Sequence, residues 1–314
     1  MFDLGILRQD EFPVPTVVIG NISVGGTGKT PHLIHLAKKL QAHYSIAILS
    51  RGYLRKSKGF RYVLEDDNPR LSGDEPLEIK NHLPDVIVAT DGNRRRGISR
   101  ILKEVKPRPE LILLDDGFQH RWIKPAFSLV LTRADHLFTE DTILPSGSLR
   151  ESKKEIRRAH AVCVTGCTPD IDIVRIKQAI QKFAKQKIFF SKIIYRKPEG
   201  HIRQDVLLLS SIAKPESMLK YLQDKYQYVD HLQFPDHHQY TNADIRKILS
   251  NFMRLSNERV IITSGKDWVK LKQFKELENY PIECLDIGIS LLEKGEEELI
   301  NQIQNYVEQY SRNY

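Results

Sequence analysis

The sequence predicts an α/β protein in two parts: a larger unit built on a parallel sheet, then a second, smaller α/β unit. Three observations predict it. Short apolar runs rich in Val, Ile and Leu recur along the chain, separated by stretches with helical spacing, and strands that are apolar throughout belong to sheets covered on both faces. The first of these runs passes through glycines directly into a helix. A fresh series of apolar runs then begins after residue 187.

Taken in order, TVVIGNI (16–22) is the first strand, and PHLIHLAKKLQAH after the glycines carries Leu33, Leu36, Ala37 and Leu40 on one helical face. SIAILS (45–50), VIVAT (86–90), LILLDD (111–116), FSLVLT (127–132) and HAVCVT (160–165) are further strands. The stretches between several of them supply crossover helices, which is α/β architecture. IDIVRIKQAIQKFAKQ (171–186) reads as a helix and IFFSKIIYR (188–196) as a long strand; VLLLSS (206–211), VIITSG (260–265) and IECLDIG (282–288) define the smaller unit. The tail is an amphipathic helix with Leu299, Ile303 and Val307 on one stripe. With no repeat, low-complexity tract or Gly/Ser linker, the expected division is 1–187, 188–290 and a closing helix at 291–314.

At 314 residues the chain can bury two cores. Its 40% apolar and 28% charged residues describe a soluble globular protein. No run approaches the roughly 18 residues that span a bilayer, and the first residues lack the zones of a signal peptide, so the expectation is a cytosolic chain. Cys163 and Cys167 have no matching second pair and Cys284 stands apart, so neither a disulfide framework nor a zinc site is expected. The net charge of +8 calls for an anionic partner, whether nucleic acid, phospholipid surface or phosphorylated substrate. Basic residues gather in RRR (94–96) and RESKKEIRR (150–158).

SVGGTGKTP (23–31) carries the most chemistry. The usual phosphate-binding loop reads G-x-x-x-x-G-K-[ST], and Ser23 stands where its first glycine would be. Such a loop points successive backbone N–H groups at phosphate oxygens at the positive end of a helix. Gly25, Gly26 and Gly28 allow that turn without a glycine at 23. Ser23, Val24, Gly25, Gly26, Thr27, Gly28, Lys29 and Thr30 are therefore the candidate ATP cradle, with Lys29 at the β- and γ-phosphates and the Thr30 hydroxyl on Mg²⁺. Pro31 suits the first helical turn, where its missing N–H costs nothing. A glycine-rich turn with an incidental lysine is the plainer alternative; the agreement of strand, glycines, Lys-Thr and helix speaks against it.

A loop of this kind needs a carboxylate for its metal at the end of a neighbouring strand. LILLDDGFQH supplies Asp115 and Asp116 before a glycine. Adjacent strand residues point to opposite faces, so one acid meets the metal while the other orients something nearby. Arg94, Arg95 and Arg150 are planar donors suited to bidentate phosphate contact, although Arg150 can equally pair with Glu151.

SVGGTGKTP, SRGY (50–53), GDEP (73–76), DGNRR (91–95), DDGFQH (115–120), LPSGSLRE (144–151) and FPDHHQY (234–240) occur in one order over nearly the whole chain. Together they closely resemble the tetraacyldisaccharide 4'-kinase (lipid A 4'-kinase) family, whose own phosphate loop carries this serine. The resemblance implies a P-loop NTPase-like parallel sheet domain followed by a smaller α/β domain, joined by two strands for which IFFSKIIYR and IECLDIG are the candidates. It implies ATP and Mg²⁺, and transfer of the γ-phosphoryl group to the 4'-hydroxyl of a lipid A disaccharide precursor at the cytosolic face of the bacterial inner membrane. Asp74 resembles the family's base and His237 its partner; only the resemblance favours His237 over His238. Tyr53, Glu75, Arg94, Arg95, Gln119, His120, Arg150 and Glu151 are expected around the substrate. Family members carry a longer segment before the phosphate loop, including a membrane-lying amphipathic helix; here 22 residues precede Ser23, and FDLGILRQDEF resembles that segment's end. Among rivals, a regulatory GTPase needs an N/T-K-x-D signature, and TSGKDW lacks the spacer between Lys266 and Asp267. A nucleic-acid-associated ATPase rests on charge alone, and nucleic acid is not an expected partner.

Overall fold

A computed structural model describes residues 7–196, 205–212, 214–256 and 258–313; residues 2–6 of the FDLGILRQDEF segment lie outside them. The chain runs β1 (Thr16–Asn21), α1 (Lys29–Leu40), β2 (Ile46–Ser50), β3 (Arg61–Tyr62), α2 (Pro69–Ser72), α3 (Asp74–His82), β4 (Ile87–Thr90), α4 (Arg94–Glu104), β5 (Leu111–Asp115), β6 (Phe127–Arg133), β7 (Ala161–Thr165), α5 (Ile173–Gln181) and β8 (Lys187–Arg196). It continues through β9 (Asp205–Ser210), α6 (Glu216–Gln223), β10 (Val229–Gln233), α7 (Asn242–Phe252), β11 (Arg259–Ser264), α8 (Gly265–Leu271), β12 (Ile282–Leu291) and α9 (Gly295–Asn313).

These strands form one sheet in the order β10-β9-β11-β12-β8-β7-β6-β1-β5-β2-β4-β3. β1 is central to the first part, parallel to β5 on one side and β6 on the other. All three are buried throughout except at Arg133, as their unbroken apolar sequences require. Ligands of such sheets bind beyond the carboxyl ends of the strands, which is where the glycine loop after β1 and the acids after β5 emerge. β8 and β12 pair antiparallel, Leu291 opposite Ser191 through Asp286 opposite Arg196. The first half of β12, Ile282–Leu285, pairs parallel with β11 instead. One long strand thus belongs to both parts of the sheet.

The helices cover both faces. Leu33, Leu36, Ala37 and Leu40 of α1 are buried in a core that also holds Leu299, Ile303 and Val307 of α9, with Phe127 and Phe189 between them. Each such side chain contributes about 1.5–3 kcal/mol when fully buried, so the closing helix is fastened to the first part of the sheet. The opposite face packs Leu49, Ile98, Ile101, Phe138 and Leu149. Around β9 and β11 two smaller cores form, one with Ile245, Ile248 and Phe252 of α7 and one with Met218 and Leu222 of α6. The edge strand β10 has no apolar run to announce it; VDHLQ alternates and is only half-buried. Among the described residues no helix is long and apolar enough to cross a membrane.

Candidate active site

The glycine loop begins as strand. Ser23 forms an antiparallel bridge with Leu149, the Val24 N–H donates to the Ser148 carbonyl at 2.7 Å, and the Arg150 N–H donates to Ile22 at 2.7 Å. Position 23 has no positive φ; the left-handed turns fall at Gly25 (φ 97°) and Gly28 (φ 81°). A serine therefore fits where the usual pattern has glycine. A Cβ on Gly25 or Gly26 would meet nothing within 4 Å, so the loop's turn stands in open space. Its far side is anchored: Asn21 Nδ2 donates to Thr27 Oγ1 at 3.0 Å and Thr165 Oγ1 donates to the Thr27 carbonyl at 3.1 Å. Gly28 caps α1, placing Lys29 and Thr30 in its first turn. Beneath the loop, His32 is held between the Gly28 carbonyl (2.7 Å) and Ser191 Oγ (2.8 Å). Burial lowers its pKa to about 4, leaving a neutral ring there.

The two acids at the end of β5 point apart, Asp115 as the last strand residue and Asp116 leaving it in the left-handed region. Asp115 Oδ2 accepts from Ser50 Oγ at 2.8 Å, while its Oδ1 is buried without a hydrogen-bond partner. Burial, reinforced by the charge of Asp116, pushes the Asp115 carboxyl up to about 6. Asp116, in the left-handed region at φ 47°, turns to Lys29 (3.6 Å) and Arg150 (3.1 Å). Burial opposes its ionisation, but these two cations outweigh it and lower its pKa. The orphaned oxygen of Asp115, with Thr30 at the head of α1, fits a Mg²⁺ ion that takes few protein ligands and fills its shell with phosphate oxygens and water. No cluster of three or more His, Cys, Asp or Glu ligands exists among the described residues, consistent with that sparse arrangement.

Several residues expected at the substrate are committed to the protein. Arg94 is buried, and its guanidinium donates to the carbonyls of Asp91 (2.5 Å) and Asp115 (2.9 Å). The second of these bonds ties it to the end of β5, while its Nε is buried without a hydrogen-bond partner. Arg95 pairs with Asp10 at 3.2 Å and lies 4.9 Å over the Trp122 ring. Gln119 Nε2 donates to the Asn21 carbonyl (2.7 Å) and to Glu151 (2.9 Å), and Glu151 pairs with Arg158 at 2.7 Å. These contacts fix the loop's surroundings. His120, its Nε2 buried without a hydrogen-bond partner, is lowered to about 4 by burial and then by Arg94, Arg95 and Arg51.

Asp74 opens α3 after Gly73, whose φ of 94° disfavours a side chain and where an added Cβ would crowd the Tyr53 carbonyl at 3.1 Å. The same turn passes Gly52, two residues beyond Ser50, which holds Asp115. The buried Asp74 Oδ2 lies 3.6 Å from His237 Nδ1 and 3.5 Å from Lys270 Nζ. His237 is strained at φ 58°. Its N–H donates to the Ser211 carbonyl (3.2 Å) and to Asp236 Oδ1 (3.0 Å). Lys266 Nζ is 3.1 Å from His237 Nε2. Since an ammonium only donates, Nε2 is the acceptor of that contact, while Nδ1 and Asp74 Oδ2 face each other at 3.6 Å, each buried without a hydrogen-bond partner. Tyr53 meets the imidazole edge-on, ring centroids 5.9 Å apart, and Glu75 is 4.0 Å from Lys266. His238 points elsewhere, pairing with Asp244 at 3.0 Å and stacking on Phe234. Sequence reasoning missed Lys266 and Lys270; their four-residue spacing put them on one helical face, but two lysines on a helix ordinarily signal a solvated surface.

A glycine loop at the carboxyl end of a central parallel strand, with Lys-Thr at a helix head and a buried carboxylate on the adjacent strand, defines a P-loop phosphotransferase. A sequence profile described as tetraacyldisaccharide-1-P 4'-kinase matches residues 1–308. The chain belongs to the tetraacyldisaccharide 4'-kinase family. It is 36% identical to the tetraacyldisaccharide 4'-kinase of Phocaeicola vulgatus over 100% of this chain and 91% of the relative. With that of Flavobacterium johnsoniae it shares 41% identity over 88% of this chain and 83% of the relative. The crystal structure of LpxK from Aquifex aeolicus in complex with ATP superposes with a TM-score of 0.76 at 27% identity, covering 98% of this chain and 92% of that one.

Proposed function

We propose that this kinase transfers the γ-phosphoryl group of ATP to the 4'-hydroxyl of a tetraacylated glucosamine disaccharide 1-phosphate, the lipid A precursor, at the cytosolic face of the inner membrane. The observation that carries the reading is the Asp74–His237 pair, one residue from each part of the chain, with Asp74 entering α3 against the Gly52 turn that follows Ser50, the partner of Asp115. Phosphoryl transfer asks for alignment and charge compensation more than covalent chemistry. Loop N–H groups and Lys29 hold the terminal phosphates. Mg²⁺, held by Thr30 and Asp115, supplies further neutralisation of the phosphate oxygens when bound. The acceptor oxygen bonds to the γ-phosphorus as the bond to the β-phosphate oxygen breaks and ADP departs, and its proton passes to Asp74. His237, its Nδ1 3.6 Å from that carboxylate, is its charge partner, while Lys266 occupies the far nitrogen.

Tyr53 and Leu54, both exposed beside this pair, offer apolar surface for sugar and acyl chain and support a peripheral membrane site. A nucleic-acid-stimulated ATPase is not favoured, because four arginines of the basic clusters are held by acids of the chain: Arg95 by Asp10, Arg96 by Asp91, Arg150 by Asp116 and Arg158 by Glu151. The test is phosphate transfer from labelled ATP to detergent-dispersed disaccharide, with Asp74→Asn alongside. The parent is expected to form product only with Mg²⁺, and the variant to bind ATP normally while losing about 10²–10⁴-fold in kcat. A variant that turns over like the parent would remove Asp74 from the chemistry.

A further inference from the structure

Lys270, on α8, is 2% exposed, one of the largest side chains fully enclosed in the molecule. An ammonium is withdrawn from water only when it is paired. Here it has three partners drawn from three elements: Ser211 Oγ just after β9 at 3.0 Å, Asp267 Oδ1 one helical turn away at 3.4 Å, and Asp74 Oδ2 at the start of α3 at 3.5 Å. The Tyr240 ring closes the fourth side at 6.0 Å. Asp267 is satisfied without the lysine. It accepts from the Ser211 N–H (2.8 Å), from the Ser211 hydroxyl and from Ser264 Oγ (2.9 Å). Asp74 Oδ2, in contrast, has no hydrogen-bond partner of its own and depends on Lys270 and His237 for its surroundings. Those two neighbours share a support. The Ser211 hydroxyl accepts from Lys270, and the Ser211 carbonyl accepts from the His237 N–H.

We propose that Lys270 is a positioning residue for the transfer: its buried ammonium, seated on Ser211 and Asp267 of the smaller part, clamps the Asp74 carboxylate of the larger part in the orientation that receives the acceptor's proton. The proposal rests on the phosphoryl-transfer reading above. Its mechanical content is that α3 and α8 must be packed together for the base to be aimed. Lys266, four residues earlier, does the corresponding work on His237 from the same helix.

Removing Lys270 alone leaves Asp267 and Asp74 as uncompensated neighbours, which destabilises by itself. The informative variant is therefore the double substitution Lys270→Met with Asp267→Asn, which deletes the ammonium and one of the two buried negative charges. It is expected to fold, to bind ATP as the parent does, and to lose roughly 10²-fold in kcat, the cost of misaiming a catalytic group by about 1 Å, with KM for the disaccharide little changed. Parental kcat in this folded double variant would mean that Lys270 only neutralises Asp267, and would overturn the proposal. If the double variant does not fold, Ser211→Ala decides, because it loosens the ammonium without altering any charge. A several-fold lower kcat at unchanged ATP affinity is expected, and parental kcat would again overturn it. The parent is assayed in parallel: absence of product there would remove the transfer reading and this proposal together, whereas product from the parent with an unimpaired variant removes this proposal alone.

Discussion

At position 23 a serine occupies the place of a glycine, and the backbone shows why it can. The residue forms an isolated bridge to Leu149 just beyond the end of β1, and the tight turning begins at Gly25. Ser23→Gly is accordingly expected to leave kcat within about twofold and to cost roughly 0.5–1 kcal/mol, the usual penalty for glycine in a strand, read by chemical denaturation. A large gain or loss in turnover would mean that the side chain itself takes part. The same scale shows what sequence can and cannot disclose. Lys29 and Thr30 could be named because a local pattern, strand then glycines then helix, places them at the helix head, whereas Asp115 and Asp116 could be named as a pair but not told apart. His237 and His238 were inseparable in sequence, since only the left-handed turn at His237 sends one ring to Asp74 and the other to Asp244. Lys270 was invisible: it meets Asp74 across most of the chain, and nothing local distinguishes a buried lysine from a solvated one.

At the scale of elements, α3 and α8 press together closely enough that a Cβ on Gly265 would lie 2.9 Å from Glu78 Oε1. Burial, then the charges of Glu75, Asp267 and Asp74 acting against that of Lys266, push the Glu78 carboxyl from an ordinary 4.5 up to about 8. Between those values the folded chain holds a proton that the unfolded chain has released. Stability from this group is thus greatest at low pH and is lost as pH rises from about 4.5 to 8. Glu78→Gln cannot ionise, so its thermal midpoint should fall less than the parent's over that interval and stand higher at pH 8 by at least roughly 2 °C, what about 1 kcal/mol produces in a chain of this size. Parallel midpoint–pH curves for the two proteins would contradict this. Strand-by-strand, the buried parallel elements were readable from their apolar runs, whereas β10 and the two-residue β3 were not, because edge strands carry no continuous hydrophobic signal.

Across the whole molecule, the long strand β12 joins β11 on one side and β8 on the other, so the two parts of the protein share a single sheet. The donor side of the cleft, at the head of α1, stands on the first part. The acceptor side combines Asp74 of the first part with His237 and the lysines of α8 from the second. α9 returns to pack Leu299, Ile303 and Val307 against the first core, so the chain ends on the part of the sheet where it began. The proposed mechanism carries a regiochemical consequence: a single hydroxyl of the acceptor is phosphorylated, the one placed between Asp74 and the terminal phosphate. The most direct measurement is phosphorus–proton correlation NMR on the product formed from ATP and the tetraacyl disaccharide 1-phosphate. A single new phosphate coupled to the proton at the 4' carbon is the predicted result; a phosphate at another carbon, or free inorganic phosphate with the disaccharide unchanged, would contradict the account.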